Sequence, residues 1–352
     1  MGYLNQQESE YRHFGICRKQ KIKNLINMNH LKKALYAVLV VMFAVVAFSS
    51  CDKNEGLLQS EVNHTTASSE LSATRQGGMR SSSLPYFGSS VAGWTKVKSG
   101  NNVTLYKKGN NIYIADVDLT RARIGLLFGR SNISNGTLSQ NAGSHNFQKN
   151  YVSGFAQNES SCFLAVNFGF FHFSKKNHTW DASTYPFKQG SFVDIGGSKV
   201  SSGDYTNNAM YTMVVRSDLG VRLDNYGASD WANFGNTYAN ETKAYVVRNN
   251  VGNNPNSTTT KRTILAFTTK SGSYYQRMYI FVSSQGMKED GNSNENSAKR
   301  YIRDFIEAQQ NLCVPITFCP LDGGGSTQLY VPGSSEAITT TRKVINALIV
   351  KD

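Results

Sequence analysis

The segment Leu321-Asp322-Gly323-Gly324-Gly325-Ser326-Thr327 sets one carboxylate against three residues that lack side chains and two that carry hydroxyls. Consecutive glycines can take positive φ and bring several backbone N–H groups to bear on one anion. Ser326 and Thr327 add hydroxyl donors. Such a set suits an anionic group held beside an aspartate. The same residue types also build a glycine-rich hairpin capped by its aspartate, because turns select them for conformational reasons. The segment alone therefore leaves two readings, an anion cradle and a plain turn.

An element must deliver Asp322, and the apolar run before it reads as a strand, with a second run at 329–331 after the turn. Similar short runs rich in Val, Ile, Phe and Tyr recur between Gly, Asn and Ser clusters at 112–117, 124–128, 163–167, 210–215, 244–247, 264–267, 278–282, 316–321 and 347–350. These are strand signals. One segment has a helical period: Ala298, Ile302, Phe305 and Ile306 share a face, with Ser297 or Asn296 available as N-cap, which predicts a helix over 297–311. The expected fold class is α+β, with β-rich mixed sheets and few helices. The stretches 249–260 and 286–296 read as loops by composition.

Residues 1–50 read as a precursor that carries an address. Lys32 and Lys33 precede an uncharged apolar run over 34–48, shorter than the roughly 20 residues a membrane span needs and of signal-peptide length. The run ends in Phe48-Ser49-Ser50-Cys51. Small residues before a cysteine at that place resemble the bacterial lipobox, which implies a signal over 28–50, with Met28 as its natural start, and lipid modification at Cys51. Asp52-Lys53-Asn54-Glu55-Gly56 is similar to the acidic segment that comes after the lipobox in Bacteroidetes surface lipoproteins. The implied location is the cell envelope, as an outer-membrane lipoprotein exposed at the surface and held to the membrane through Cys51. Residues 51–83, rich in Ser, Thr, Gln and Asn, read as a flexible tether.

Residues 84–352 then form one domain with ample length for a core. The formal charge of the chain is +13; the precursor carries +5 of it, which leaves +8 for the remainder. No basic run is interleaved with aromatics, so nucleic acid is not an expected partner. Beyond Cys51, the cysteines Cys162, Cys313 and Cys319 allow at most one pair, and Cys313 and Cys319 are spaced to bridge across a turn. No spacing of cysteine and histidine suggests zinc, and no cofactor is implied. Sequences such as Asn240-Glu241-Thr242 would matter only in a eukaryotic secretory pathway, against which the lipobox argues.

Taken in order along the chain, several blocks resemble the phosphodiester glycosidase family, that of the lysosomal uncovering enzyme. The segment at 321–326 is similar to its LDGGGS signature. The block from Glu159 through Cys162 and Asn167 to Gly169 and Phe171 looks like its apolar strand ending in an Asn-x-Gly-x-Phe turn. Gln189-Gly190-Ser191-Phe192 stands where the family has a glycine turn, Arg262-Thr263-Ile264-Leu265-Ala266 resembles an Arg-Thr-Ala-Ile-Gly block, and Arg342 to Val350 resembles the family's closing segment. The likeness runs from Glu159 to the C-terminus. His172, where an acidic or polar residue is common, and Ser283-Ser284, in place of an Asp-Gly pair, depart from the pattern. Residues 84–158 have no counterpart, which suggests an added layer or subdomain.

The resemblance implies hydrolysis of a glycosyl phosphodiester, of the α-N-acetylglucosamine-1-phosphodiester kind, at the anomeric carbon. That reaction passes through an oxocarbenium-like state and expels a phosphate monoester, so it needs an anion cradle and a carboxylate more than a strong general acid. The implied catalytic residues are Asp322, as nucleophile or general base, Glu159 as a second acid, and Arg262 as a planar donor fork for the phosphate. The implied substrate-binding residues are Asn167, Gly169, Phe171, Thr263, Gly323, Gly324, Gly325, Ser326 and Thr327, with no metal. Plainer roles stand beside these. Arg262 could be an ion-pair partner of Asp322, Asn167 could bond its own turn, and Phe170 and Phe171 could be core; His172 and His178 read as solvated. At the level of function, a carbohydrate-binding lipoprotein without turnover and a phosphodiesterase that cuts P–O with two metals are the rival classes.

Overall fold

The computed structural model describes residues 84–129, 146–171, 180–194, 210–226, 233–249, 258–290, 297–311 and 313–352. The chain divides into the units Met1–Arg80 and Ser81–Asp352. The signal segment, Cys51, the tether, His172 and His178 lie outside the described residues. The described residues all lie in the second unit.

Four strands open it: β1 (Thr95–Ser99), β2 (Val103–Lys108), β3 (Ile112–Asp118) and β4 (Arg123–Phe128). Next come β5 (Asn146–Gln148), the short helix α1 (Val152–Ala156), β6 (Cys162–Asn167), β7 (Trp180–Ala182), β8 (Phe187–Gln189) and β9 (Phe192–Asp194). The chain continues through β10 (Met210–Arg216), β11 (Gly220–Asn225), α2 (Phe234–Thr237) and β12 (Lys243–Arg248). A long hairpin is next, β13 (Thr260–Ser271) and β14 (Tyr274–Met287), and then helix α3 (Ala298–Gln310). Last are β15 (Thr317–Pro320), a single 3-10 turn at Gly324–Ser326, β16 (Leu329–Tyr330), β17 (Ala337–Ile338) and β18 (Asn346–Lys351).

Among the described residues, eleven strands form one sheet in the order β1-β2-β3-β14-β11-β10-β12-β8-β9, with β13 pairing β14 and then β15. Five form a second, β17-β16-β6-β18-β4, and β5 pairs β7. Alternation along the strands decides the layers. Leu265, Phe267, Ile280 and Val282 of the large sheet share one core cluster with Leu164, Val166, Leu348 and Val350 of the small one. Their neighbours Ile264, Ala266, Tyr279 and Phe281 face the other way, into a cluster with Ala298, Ile302, Phe305 and Ile306 of α3. On the outer face of the small sheet, Ala165 and Ala347 meet Val152 and Ala156 of α1. The order of layers is therefore helix, large sheet, small sheet, helix, which is a β-rich α+β fold.

The amphipathic pattern of α3 is answered as read. Ser297 accepts the N–H of Arg300 at its start, and Asn311 stops it in the left-handed region at φ 52°. Phe305, fully buried, meets Trp94, Tyr106 and Tyr279 edge-on with centroids 5.0, 5.0 and 5.9 Å away. Truncating such a residue costs about 3–5 kcal/mol.

Three expectations are corrected. The described residues of 84–158 do not stand apart, because β3 lies between β2 and β14 inside the large sheet and β4 pairs β18 in the small one. The loop expected from 286 begins later, since β14 runs to Met287. Cys162 and Cys319 are free thiols, so no bridge joins Cys313 to Cys319. Burial pushes the Cys162 thiol up to about 11 and that of Cys319 higher still, which leaves both inert.

Candidate active site

Strand β15 runs beside β13, with Pro320 opposite Ile264, and its continuation carries Asp322 to the place where β6 ends. The N–H of Leu321 donates to Thr263 at 2.9 Å and that of Asp322 donates to Phe168 at 3.3 Å. The glycines after it answer crowding. A Cβ on Gly323 would stand 2.9 Å from the Lys261 carbonyl oxygen, whereas one on Gly325 would meet the movable end of the exposed Arg342 side chain, 2.9 Å from its guanidinium carbon. Gly324 sits at φ +61°, the left-handed region that glycine enters without strain.

Asp322 is half-buried in this turn. Loss of water around it raises its carboxyl from the ordinary value to about 6, against the opposing pull of the Ser326 hydroxyl, the Arg342 charge and the Gly323 N–H. At neutral pH it is thus ionised, but only by about one unit. The cradle is smaller than the sequence suggested. The Gly323 N–H is directed at the Asp322 carboxylate, while the N–H groups of Ser326 and Thr327 close the turn onto the carbonyls of Gly323 and Gly324. Among the described residues, the N–H groups of the partly exposed Gly324 and Gly325 have no protein acceptor.

The cation at the site is Arg342, which sequence reasoning did not assign. Its guanidinium lies exposed against Gly325, donates to the Ser326 hydroxyl at 3.5 Å and attracts the Asp322 charge. Thr340 donates to the Gly325 carbonyl at 2.7 Å, and Gln328 donates to the Arg342 carbonyl at 3.0 Å. The signal for Arg342 was its place in the closing block, four residues before buried Asn346, which accepts the Gly169 N–H at 2.8 Å.

Two expected catalytic residues lie elsewhere. Glu159 pairs with Lys351 at 2.7 Å before β6 begins, whereas the site is at the far end of that strand. Six extended residues separate those ends by roughly 17 Å, too far for Glu159 to share a substrate bond with Asp322. Arg262 is buried and turns away. Its Nε donates to the Met287 carbonyl at 3.2 Å, its guanidinium also bonds the Thr258 carbonyl, and it faces Glu289 at 3.7 Å. Neighbours on a strand point to opposite faces, so Arg262 leaves β13 on the side away from Thr263. It is an ion-pair residue of Glu289, shared with Arg248 at 3.6 Å and Lys299 at 3.6 Å, and not of Asp322.

The expected binding residues divide by burial. Asn167, Ser326 and Thr327 have no exposed surface and Thr263 almost none, so they underlie the turn and do not line an open face. Gly169 is where a close approach is needed, since a Cβ there would lie 2.9 Å from the Asn346 amide nitrogen. Phe171 packs on two core clusters and bridges Ser183, and Phe170 meets Tyr185 edge-on at 5.6 Å. Both aromatics are packing residues. Asp322, Gly324, Gly325 and Arg342 remain as the groups that can meet a ligand.

No family model matches the chain, and no curated protein matches it. Among solved structures it is similar to a protein of Burkholderia pseudomallei named "Putative exported protein", with 10% identity and a TM-score of 0.32 over 71% of this chain and 74% of that one.

Proposed function

We propose that the chain is an exported hydrolase that cleaves a glycosyl phosphodiester at the anomeric carbon, with an α-linked N-acetylhexosamine-1-phosphodiester as its substrate class. The observation that carries the reading is the pairing, in one glycine turn, of a half-buried Asp322 carboxyl raised to about 6 with an exposed Arg342 and two unsatisfied N–H groups. Carboxylates so perturbed cluster at reactive sites. In this reading Arg342 and the N–H groups of Gly324 and Gly325 hold the phosphate, taking the part expected of Arg262. Ionised Asp322 attacks C1 to form a glycosyl ester that water then hydrolyses, or takes a proton from the water that itself attacks C1; in either case the C1–O bond breaks and the phosphate monoester departs with the bonding pair. The departing monoester is stable as an anion, so the reaction does not require Glu159 as a proton donor.

The lipobox-like Phe48-Ser49-Ser50-Cys51 and the polar stretch after it support anchorage of the domain in the cell envelope. The test is hydrolysis of an N-acetylglucosamine-α-1-phosphodiester by the protein and by Asp322→Asn. The expected result is turnover by the first, unchanged in EDTA, and its near loss in the second at equal fold. Binding without turnover would make it a carbohydrate-binding protein, and loss of rate in EDTA would point to metal-assisted P–O cleavage.

A further inference from the structure

Asn167 is the last residue of β6 and has no exposed surface, yet both polar atoms of its amide are used. Its Nδ2 donates to the Asp322 carbonyl at 2.5 Å. Its Oδ1 accepts from the Thr263 hydroxyl at 2.8 Å and from the Gln328 N–H at 3.0 Å. Asp322 and Gln328 are the two ends of the glycine turn, and Thr263 belongs to β13 in the large sheet. One side chain of the small sheet thus closes the turn into a ring and fastens it to the other sheet. Gln328 extends the connection: its Oε1 accepts from Val152 at the start of α1 at 3.0 Å, and its Nε2 donates to the Arg342 carbonyl.

The geometry asks for an amide. A donor must face a carbonyl while an acceptor on the same planar group faces two donors, and the side-chain amide of asparagine offers both without charge and without a proton to lose. A carboxylate here would set a second negative charge close to Asp322.

We propose that Asn167 is a positioning residue that touches no substrate and, by clamping both ends of the glycine turn, fixes the Asp322 carboxylate relative to the Arg342 guanidinium. This deepens the proposed function and rests on it for its catalytic consequence, whereas the clamp itself can be read without substrate. A loosened turn admits water to Asp322 and removes the cause of its raised titration.

The experiment tracks the Asp322 side-chain carbon by NMR against pH in the whole protein labelled with [13C]aspartate, the signal being assigned by its loss in Asp322→Asn. In Asn167→Ala the midpoint is expected to move from about 6 down toward the ordinary carboxylate value of about 3.9. Thr263→Val, which removes one of the three bonds, is expected to shift it less in the same direction. With a glycosyl phosphodiester, kcat in Asn167→Ala falls about tenfold or more with KM little changed, as for a group that acts on the reacting geometry. A folded Asn167→Ala with the wild-type titration overturns the proposal. If that variant does not fold, a wild-type titration in Thr263→Val overturns it instead. Absence of hydrolysis by the wild type would sink the proposed function and still leave the titration to decide the clamp.

Discussion

Two aspartates of this domain meet opposite treatment. Asp116, on β3 and fully buried, receives four donors: Arg277 Nε at 2.8 Å and Nη2 at 2.7 Å, Gln309 at 2.9 Å and the Gly88 N–H at 3.1 Å. Arg277 in turn donates to the carbonyls of Pro85 at 2.8 Å and Tyr86 at 3.2 Å, so the pair seals the start of the described chain against α3. Asp322 has the Ser326 hydroxyl, one N–H and an arginine that stays in water. The difference separates structure from chemistry. A buried charge that is fully answered holds a fold together, while one left short of donors is poised to change its protonation.

The largest effect that would break this contrast is kinetic. Asp322→Asn should lower kcat/KM for a glycosyl phosphodiester by about 10³-fold, with an unaltered circular dichroism spectrum, whereas Asp116→Asn should act on rate only through unfolding. A surviving rate in Asp322→Asn would remove that aspartate from the chemistry.

Next in size is stability. Asp116→Ala leaves Arg277 buried without its partner and should cost about 3–5 kcal/mol in urea unfolding at pH 7. A loss under about 1 kcal/mol would show that the pair merely balances its own desolvation.

Asp322→Asn should do the reverse and stabilise. Its carboxyl is raised in the folded state to about 6, so the stability it lends is present below the unfolded value near 3.9 and is lost as pH rises through 6. The variant should therefore match the wild type at pH 3.5 and exceed it at pH 7.5 by at most about 3 kcal/mol. A gap that does not depend on pH would mean that the carboxyl is not raised. The same ionisation governs rate. If Asp322 works as a carboxylate, kcat/KM should climb to a plateau with a midpoint near 6, and a fall over that range would make it the acid.

The smallest of these effects should belong to Arg342→Gln, with KM up about tenfold and kcat changed less, as for a surface charge that holds the anion. Equal loss in Arg262→Gln without loss of stability would return the phosphate to Arg262.

How far this was legible in the sequence depended on whether one residue's neighbours could decide its role. Strands with an apolar face toward each layer, such as Phe281 against α3 and Val282 against the small sheet, showed as unbroken runs. The edge strand β1, with mostly exposed Thr95 and Lys96, carried too little apolar content to show, and β11 hides its pattern among Arg222, Asp224 and Asn225. The turn at Asp322 was legible because glycine, serine and aspartate are chosen there for backbone reasons that a sequence displays. Arg262 and Glu159 were misplaced because a side chain's direction depends on strand register and end, which a motif does not state. Arg342 was missed since only folding brings β18's approach beside the turn.

In the proposed reaction the bond broken is the sugar's C1–O bond. Hydrolysis of an N-acetylglucosamine-α-1-phosphodiester in water enriched in oxygen-18, with both products read by mass spectrometry, tests it most directly. Label in the sugar is the predicted result, and label in the phosphate would contradict it by pointing to a phosphodiesterase.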